Sequence, residues 1–234
     1  GGTFVRSPAW LAGAIYNGRI APVAPYGICG AIWYQAESNC GRGEDPRDYR
    51  HKQRALVQGW RQAWNNENLP FFYVQLPQWR SYAWTYAREE QLQAMEVDGT
   101  GMAVTIDLDH ANDIHPPNKI DVGERLARWP LAKLYGKKIA FSGPLFRDAK
   151  VRDAEVVVGF DYAKEGLMVG RIEGVGKIVE AKDGVLHGFE LVGEDGVWHP
   201  AKAKVKGQTV LVKSLPVKQP VAVRYACHPE APKE

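Results

Sequence analysis

The run Asn112-Asp113-Ile114-His115-Pro116-Pro117 places a carboxylate two residues before an imidazole, after an apolar stretch and ahead of a helical pattern. A histidine held by an acid is the arrangement that takes a proton from a serine hydroxyl in nucleophilic ester hydrolysis. A lone histidine is more often a surface or satisfied core residue. Three features set His115 apart: Asp113 beside it, the Pro116-Pro117 pair that fixes the backbone after it, and the buried strand before it. His51, His110, His187, His199 and His228 lack that setting. The serine is harder to find. The chain has five, Ser7, Ser38, Ser81, Ser142 and Ser214, and none lies in a Gly-x-Ser-x-Gly nucleophile turn. The expectation is the acid–base half of a serine esterase whose nucleophile is missing from this chain. Asp107, Asp109, His110, Asp113 and His115 could instead bind a divalent ion, but their spacing matches no familiar ligand pattern, so no metal is expected.

A second group of polar side chains, Gln35, Glu37, Ser38 and Asn39, ends an otherwise apolar strand. Buried amides need partners. Here they could donate to an oxyanion or a sugar hydroxyl, or simply stabilise the exit of a strand into a loop. Arg88 could bind a substrate carboxylate through its planar guanidinium, although an ion pair on a helix surface is the simpler reading. Trp79 and Trp84 could stack on a sugar ring or pack in the core.

The elements that must position these residues alternate between strand and helix over the first 140 residues. Strands are predicted over Ile28–Gln35, Phe71–Leu76 and Met102–Leu108. Tyr49, Leu56, Val57, Trp60 and Trp64 fall on one face of a helix. A second helix is expected over Tyr86–Val97, with Leu92 and Met95 inward. A third is expected over Ile120–Tyr135, carrying Val122, Leu126, Leu131 and Leu134 and kinked or split at Pro130. This grammar implies a parallel sheet covered on both faces, with its site at the carboxyl ends of the strands. The segments 35–39, 75–79 and 107–115 lie at those ends. After Gly136 the pattern becomes short β-rich runs, 155–160, 188–192, 201–205, 209–212 and 221–225, separated by Gly-containing turns. The expected organisation is an α/β unit over 1–140 and an antiparallel β module over 141–234.

Composition narrows the function class. With 45% hydrophobic and 24% charged residues the chain resembles an ordinary globular protein. A net charge of +3 from scattered basic residues argues against a nucleic-acid partner. Its apolar runs are too short to cross a bilayer as helices. Eight Trp and ten Tyr suit a carbohydrate cleft, though core packing explains them as well. Cys29, Cys40 and Cys227 have no metal-ligand spacing; they allow one disulfide and a thiol, or three thiols. No signal peptide is visible, and the missing initiator Met leads us to expect a start further upstream.

Gly30-Ala31-Ile32-Trp33-Tyr34-Gln35-Ala36-Glu37-Ser38-Asn39 resembles the Gly-x-x-Trp-Tyr-Gln-Gly-Glu-Ser-Asn signature of the sialate O-acetylesterase-like family of SGNH hydrolases. Segments 16–22, 70–76, 88–91, 113–119, 122–126 and 221–225 resemble the same family in the same order. The resemblance implies part of an SGNH-type α/β/α sandwich with a parallel sheet, followed by a small antiparallel β module. It implies an acetylesterase of O-acetylated sugars, with His115 as general base, Asp113 orienting it, and Gln35 in the oxyanion hole with Asn39 nearby. It implies no cofactor, no nucleic acid and no membrane, a secreted or periplasmic setting, and a partner segment on the N-terminal side carrying the serine in a Gly-Gln-Ser-Asn-type motif. The chain departs from the family in three places. The acid usually stands three residues before the histidine, where this chain has Asn112. Ala36 replaces a glycine, adding a methyl where an unusual backbone angle is expected. Above all, no Gly-Gln-Ser-Asn segment exists in this chain; Ser38 is the one serine in a signature motif, at a position the family does not use as nucleophile. A noncatalytic carbohydrate-binding protein derived from such an esterase is the alternative, and a metal-dependent hydrolase a distant third.

Overall fold

The computed structural model describes residues 13–41, 43–108, 114–115, 117–181 and 184–227. Its first part is a three-stranded parallel sheet, ordered β1-β2-β3, built from β1 (Ala31–Trp33), β2 (Phe71–Val74) and β3 (Thr100–Ala103). β1 and β2 are shorter than the apolar runs that suggested them, and β3 begins two residues before its predicted run and ends at Ala103. β2 is central and buried at all four positions, as both of its faces are covered. Side chains alternate along it. Phe72 and Val74 meet Val122, Leu126 and Trp129 of α3 (Lys119–Lys133) on one face. Phe71 and Tyr73 meet Val57 of α1 (Tyr49–Ala63) on the other, close to the segment that follows α2 (Tyr82–Gln93). This is the expected α/β/α layering.

Local sequence explains where the helices begin and end. Asp45 accepts from the backbone N–H of Arg47 at 3.0 Å, and Pro46 opens the short 3-10 turn that leads into α1. α1 ends at Ala63, and just beyond it Asn65 takes a left-handed φ of 48°. Asn118 caps α3 by accepting from the N–H of Asp121 at 3.1 Å. Pro130 lies inside α3 without splitting it. The expected inward face of that helix needs correction: Leu131 and Leu134 are exposed, and Trp129 completes the buried stripe with Val122 and Leu126. Trp129 lies flat against β3. A Cβ on Gly101 would meet its ring at 2.3 Å, so this close approach requires glycine.

The second part is antiparallel. β4 (Leu145–Arg152), β5 (Glu155–Asp161), β10 (Lys202–Lys206) and β11 (Thr209–Lys213) form a sheet ordered β10-β11-β5-β4. β8 (Phe189–Val192), β9 (Trp198–Pro200) and β12 (Ala222–Tyr225) form a second, ordered β12-β8-β9. Val156, Val158, Val210 and Val212 of the first sheet pack on Phe189 and Leu191 of the second, which makes a small sandwich. A hairpin of β6 (Gly170–Ile172) and β7 (Ile178–Glu180) stands apart from both sheets. Ile172 of this hairpin packs against the α3 face, and Asp121 Oδ2 accepts from the N–H of Gly176 at its tip, at 3.0 Å.

Candidate active site

The carboxyl ends of the three parallel strands converge. Ala36, just beyond β1, is fully buried in a cluster with Leu76 from beyond β2, Tyr49 of α1, and Trp84 and Ala87 of α2. Trp79 and Ile114 pack against the same cluster. Ile114 immediately precedes His115 and Ala36 immediately follows Gln35, so these two candidate residues flank one apolar plug. His115 is exposed. Lys119 Nζ lies 5.1 Å above the ring of Tyr34, a second contact between the histidine segment and the exit of β1. Asp113 lies outside the described residues, as do Asp109 and His110.

Gln35 and Asn39 meet directly. Gln35 Nε2 donates to Asn39 Oδ1 at 3.0 Å, and Asn39 Nδ2 donates to Glu44 Oε2 at 3.3 Å. The first bond uses one of the two protons on the Gln35 amide. The backbone carbonyl of Gln35 accepts from Tyr49 Oη at 2.7 Å. Ala36 has φ of 169°, outside the left-handed region, so its methyl is accommodated as a buried core group and the expected unusual angle does not arise. Ser38 sits exposed in the 3-10 turn Glu37–Asn39.

Below these side chains lies a layer of buried polar groups that sequence reasoning passed over. Gln91 Oε1 accepts from the N–H of Leu76 at 2.8 Å, and its Nε2 donates to Val74 O at 3.2 Å and Gln35 O at 3.5 Å. Gln75 Nε2 donates to Arg88 O at 3.0 Å, and Thr105 Oγ1 donates to Gln75 O at 2.8 Å. Tyr73 Oη donates to Gln91 O at 2.7 Å. The detectable signal was the spacing of Trp84, Ala87, Arg88 and Gln91, which share the buried face of α2. Gln78, also beyond β2, is 4% exposed.

Arg88 requires a correction. Neither a helix-surface ion pair nor an exposed guanidinium is found: the residue is 6% exposed. Its Nη2 donates to Ala226 O at 2.8 Å and its Nη1 to Pro77 O at 3.4 Å. Burial lowers its pKa to about 10. Arg88 thus ties the exit of β2 to the end of β12. Trp84 is likewise a core residue, donating through Nε1 to Pro77 O at 2.7 Å, with Trp79 tilted against it at 6.2 Å. On the far side of the site, Arg125 grips the exit of β3. Its guanidinium donates to both oxygens of Asp107, at 2.6 and 2.8 Å, and to Val104 O at 2.9 Å. The carboxylate of Asp107, a residue of the conceivable metal cluster, is therefore committed to Arg125.

Residues 1–131, which include the polar exits of all three strands, match the family described as carbohydrate esterase, sialic acid-specific acetylesterase. The chain belongs to this family. Among sialic acid-specific acetylesterase relatives, the sialate O-acetylesterases of Rattus norvegicus and Mus musculus are each 28% identical over 64% of this chain and 32% of their own length. The crystal structure of a carbohydrate acetylesterase from Xanthomonas citri superposes with a TM-score of 0.82 at 34% identity. It covers 92% of this chain, which in turn covers 48% of it. The chain therefore spans about a third of the curated relatives and about half of that esterase. No helix among the described residues is long and apolar enough to cross a membrane.

Proposed function

We propose that this chain carries the acid–base and oxyanion half of a serine-type acetylesterase that removes acetyl esters from sugars. The observation that supports it best is the shared cluster of Ala36 and Ile114, which holds Gln35 and His115 at the same end of the sheet. In this reading a serine from outside residues 1–234 attacks the acetyl carbonyl while His115 takes its proton. Asp113 orients and stabilises the imidazolium that forms. The free N–H of the Gln35 amide, with Asn39 holding the other, donates to the oxygen that becomes negative. His115 then gives that proton to the sugar oxygen as its bond to the acetyl carbon breaks, leaving the acetyl group on the serine, and a water that His115 activates releases it as acetate. The names of the relatives support an O-acetylated sugar as substrate, with sialic acid among the candidates. The reading includes a secreted or periplasmic setting, which the family match supports.

The test is intact-mass analysis after treatment with a fluorophosphonate, alongside His115→Ala. The 234-residue chain should take no adduct. The same chain extended with its serine-bearing segment should take one, and should release acetate from an O-acetylated sialic acid, with both losses in His115→Ala. A single adduct on the 234-residue chain that vanishes in His115→Ala would overturn the missing-serine reading and point to Ser38.

A further inference from the structure

β1 and β2 pair as far as Trp33 and Tyr73, while β2 and β3 stay paired one position longer, to Val74 and Ala103. Along β2 the peptide groups alternate in direction. Ala31 N donates to Pro70 O on the β1 side, whereas Gln75 N donates to Ala103 O on the β3 side. Val74 O and Leu76 N therefore face the place β1 would occupy had it continued. It does not continue, and the parting of the two strands is what opens room for a site at their ends. Buried peptide groups left at such a gap would be costly without partners. The Gln91 carboxamide takes up both of them, with Oε1 toward Leu76 N and Nε2 toward Val74 O, and then reaches Gln35 O on the departing strand.

We infer that Gln91 is a positioning residue: its amide fixes the gap between the β1 and β2 exits and so sets the direction of the Gln35 side chain. The amide has one workable orientation. A flip would turn its NH2 toward the N–H of Leu76 and its oxygen toward two carbonyls. Tyr73 Oη holds the Gln91 backbone carbonyl from β2, and Tyr49 Oη holds Gln35 O from α1, so the bridge is anchored at both ends. Gln91 is 1% exposed, which keeps it out of direct reach of a substrate. A leucine would fill similar space with less desolvation, so packing alone does not explain an amide here. Oxyanion donors act through being aimed before the charge develops, and small misplacements are costly in rate. The role of Gln35 rests on the esterase reading above; the bridge itself rests on geometry alone.

The test separates the two. In the 234-residue chain labelled with 15N-glutamine, the exchange of the Gln35 side-chain protons is compared between wild type, Gln91→Met and Gln91→Glu. The Met variant should speed Gln35 exchange by about tenfold while the backbone amides of Tyr73 and Met102 keep their protection within about twofold. The Glu variant should protect Gln35 while its carboxyl is protonated and lose that protection as the pH rises through a pKa raised by burial. Unchanged Gln35 exchange in Gln91→Met would overturn the inference, and so would a parallel loss of protection at Gln35, Tyr73 and Met102. With the serine segment present, Gln91→Met should lower kcat by about tenfold and leave KM nearly unchanged. If the wild-type extended chain releases no acetate, the esterase reading fails, and the exchange measurement still decides the role of Gln91.

Discussion

At the scale of single residues, burial decides which groups can react. Cys29 is exposed, whereas Cys40 donates its thiol to Ala36 O at 3.4 Å and burial pushes its pKa up to about 12. Cys227 is also raised, again chiefly by burial. Because the thiolate is the reactive form, a disulfide reagent at pH 8 should modify Cys29 rapidly and the other two only on unfolding. Fast modification of Cys40 in the folded chain would contradict its placement beneath the site. The same logic explains what the sequence revealed at this scale. Gln35, Asn39 and His115 stood out as candidates because polar groups at the end of a strand contrast with apolar neighbours. Gln91 and Tyr49 were not. A polar residue on a helix looks solvated until the tertiary fold shows which carbonyl it meets, and the Gln35 carbonyl lies 56 positions from Gln91. Arg88 was misassigned for a related reason: its partner at Ala226 is 138 positions away, and nothing local announces it.

At the scale of elements, periodicity was reliable where one stripe dominated. α1 buries Tyr49, Gln53 and Val57, with Leu56 and Trp60 packed beside them, close to the face expected. In α3, Leu131 stands nine positions from Val122, roughly half a turn round the axis, and faces water. The four charged residues of β4, Arg147, Asp148, Lys150 and Arg152, hid a strand whose side chains are largely exposed. The hairpin of β6 and β7 was also missed, being held by α3 through contacts that no local pattern encodes. One of these is titratable. The N–H of Gly176 holds the Asp121 carboxyl below its usual range, with Asn118 assisting and burial opposing. A lowered native pKa means that this docking contributes stability above the unfolded carboxylate value, about 3.9. That contribution is lost as pH falls through the lower native value. Acidification below pH 4 should therefore expose the Gly176 amide to hydrogen exchange before the sandwich core opens. Asp121→Asn should flatten that dependence, and an unaltered acid profile in the variant would assign the effect elsewhere.

At the scale of the whole molecule, β1 is an edge of the parallel sheet among the described residues, and Ile32 on it is 69% exposed. Ile15, Tyr16, Val23 and Tyr26 are also exposed large apolar side chains. An apolar edge strand invites pairing with another chain. The 234-residue chain should self-associate in sedimentation velocity as concentration rises, and Ile32→Lys should reduce this while leaving the melting transition cooperative. A wild-type chain that stays monomeric at high concentration would show that the edge is covered. The antiparallel part is bound to the parallel part by Arg88 at Ala226, Asp121 at Gly176, and the ring contacts of Phe141 with Trp129 and Tyr162, 4.8 and 5.2 Å between centroids.

The contact between Arg88 and Ala226 also orders events during synthesis. Chains emerge from the ribosome starting at the N-terminus, so α2 is complete long before residue 226 exists. Until then the guanidinium lacks its best acceptor and cannot be sealed from water without cost. Closing a loop of this length is also a late, entropically opposed step. The strands of the parallel sheet and the Gln91 bridge can form early, but the burial of Arg88 waits until β12 and Ala226 have been translated.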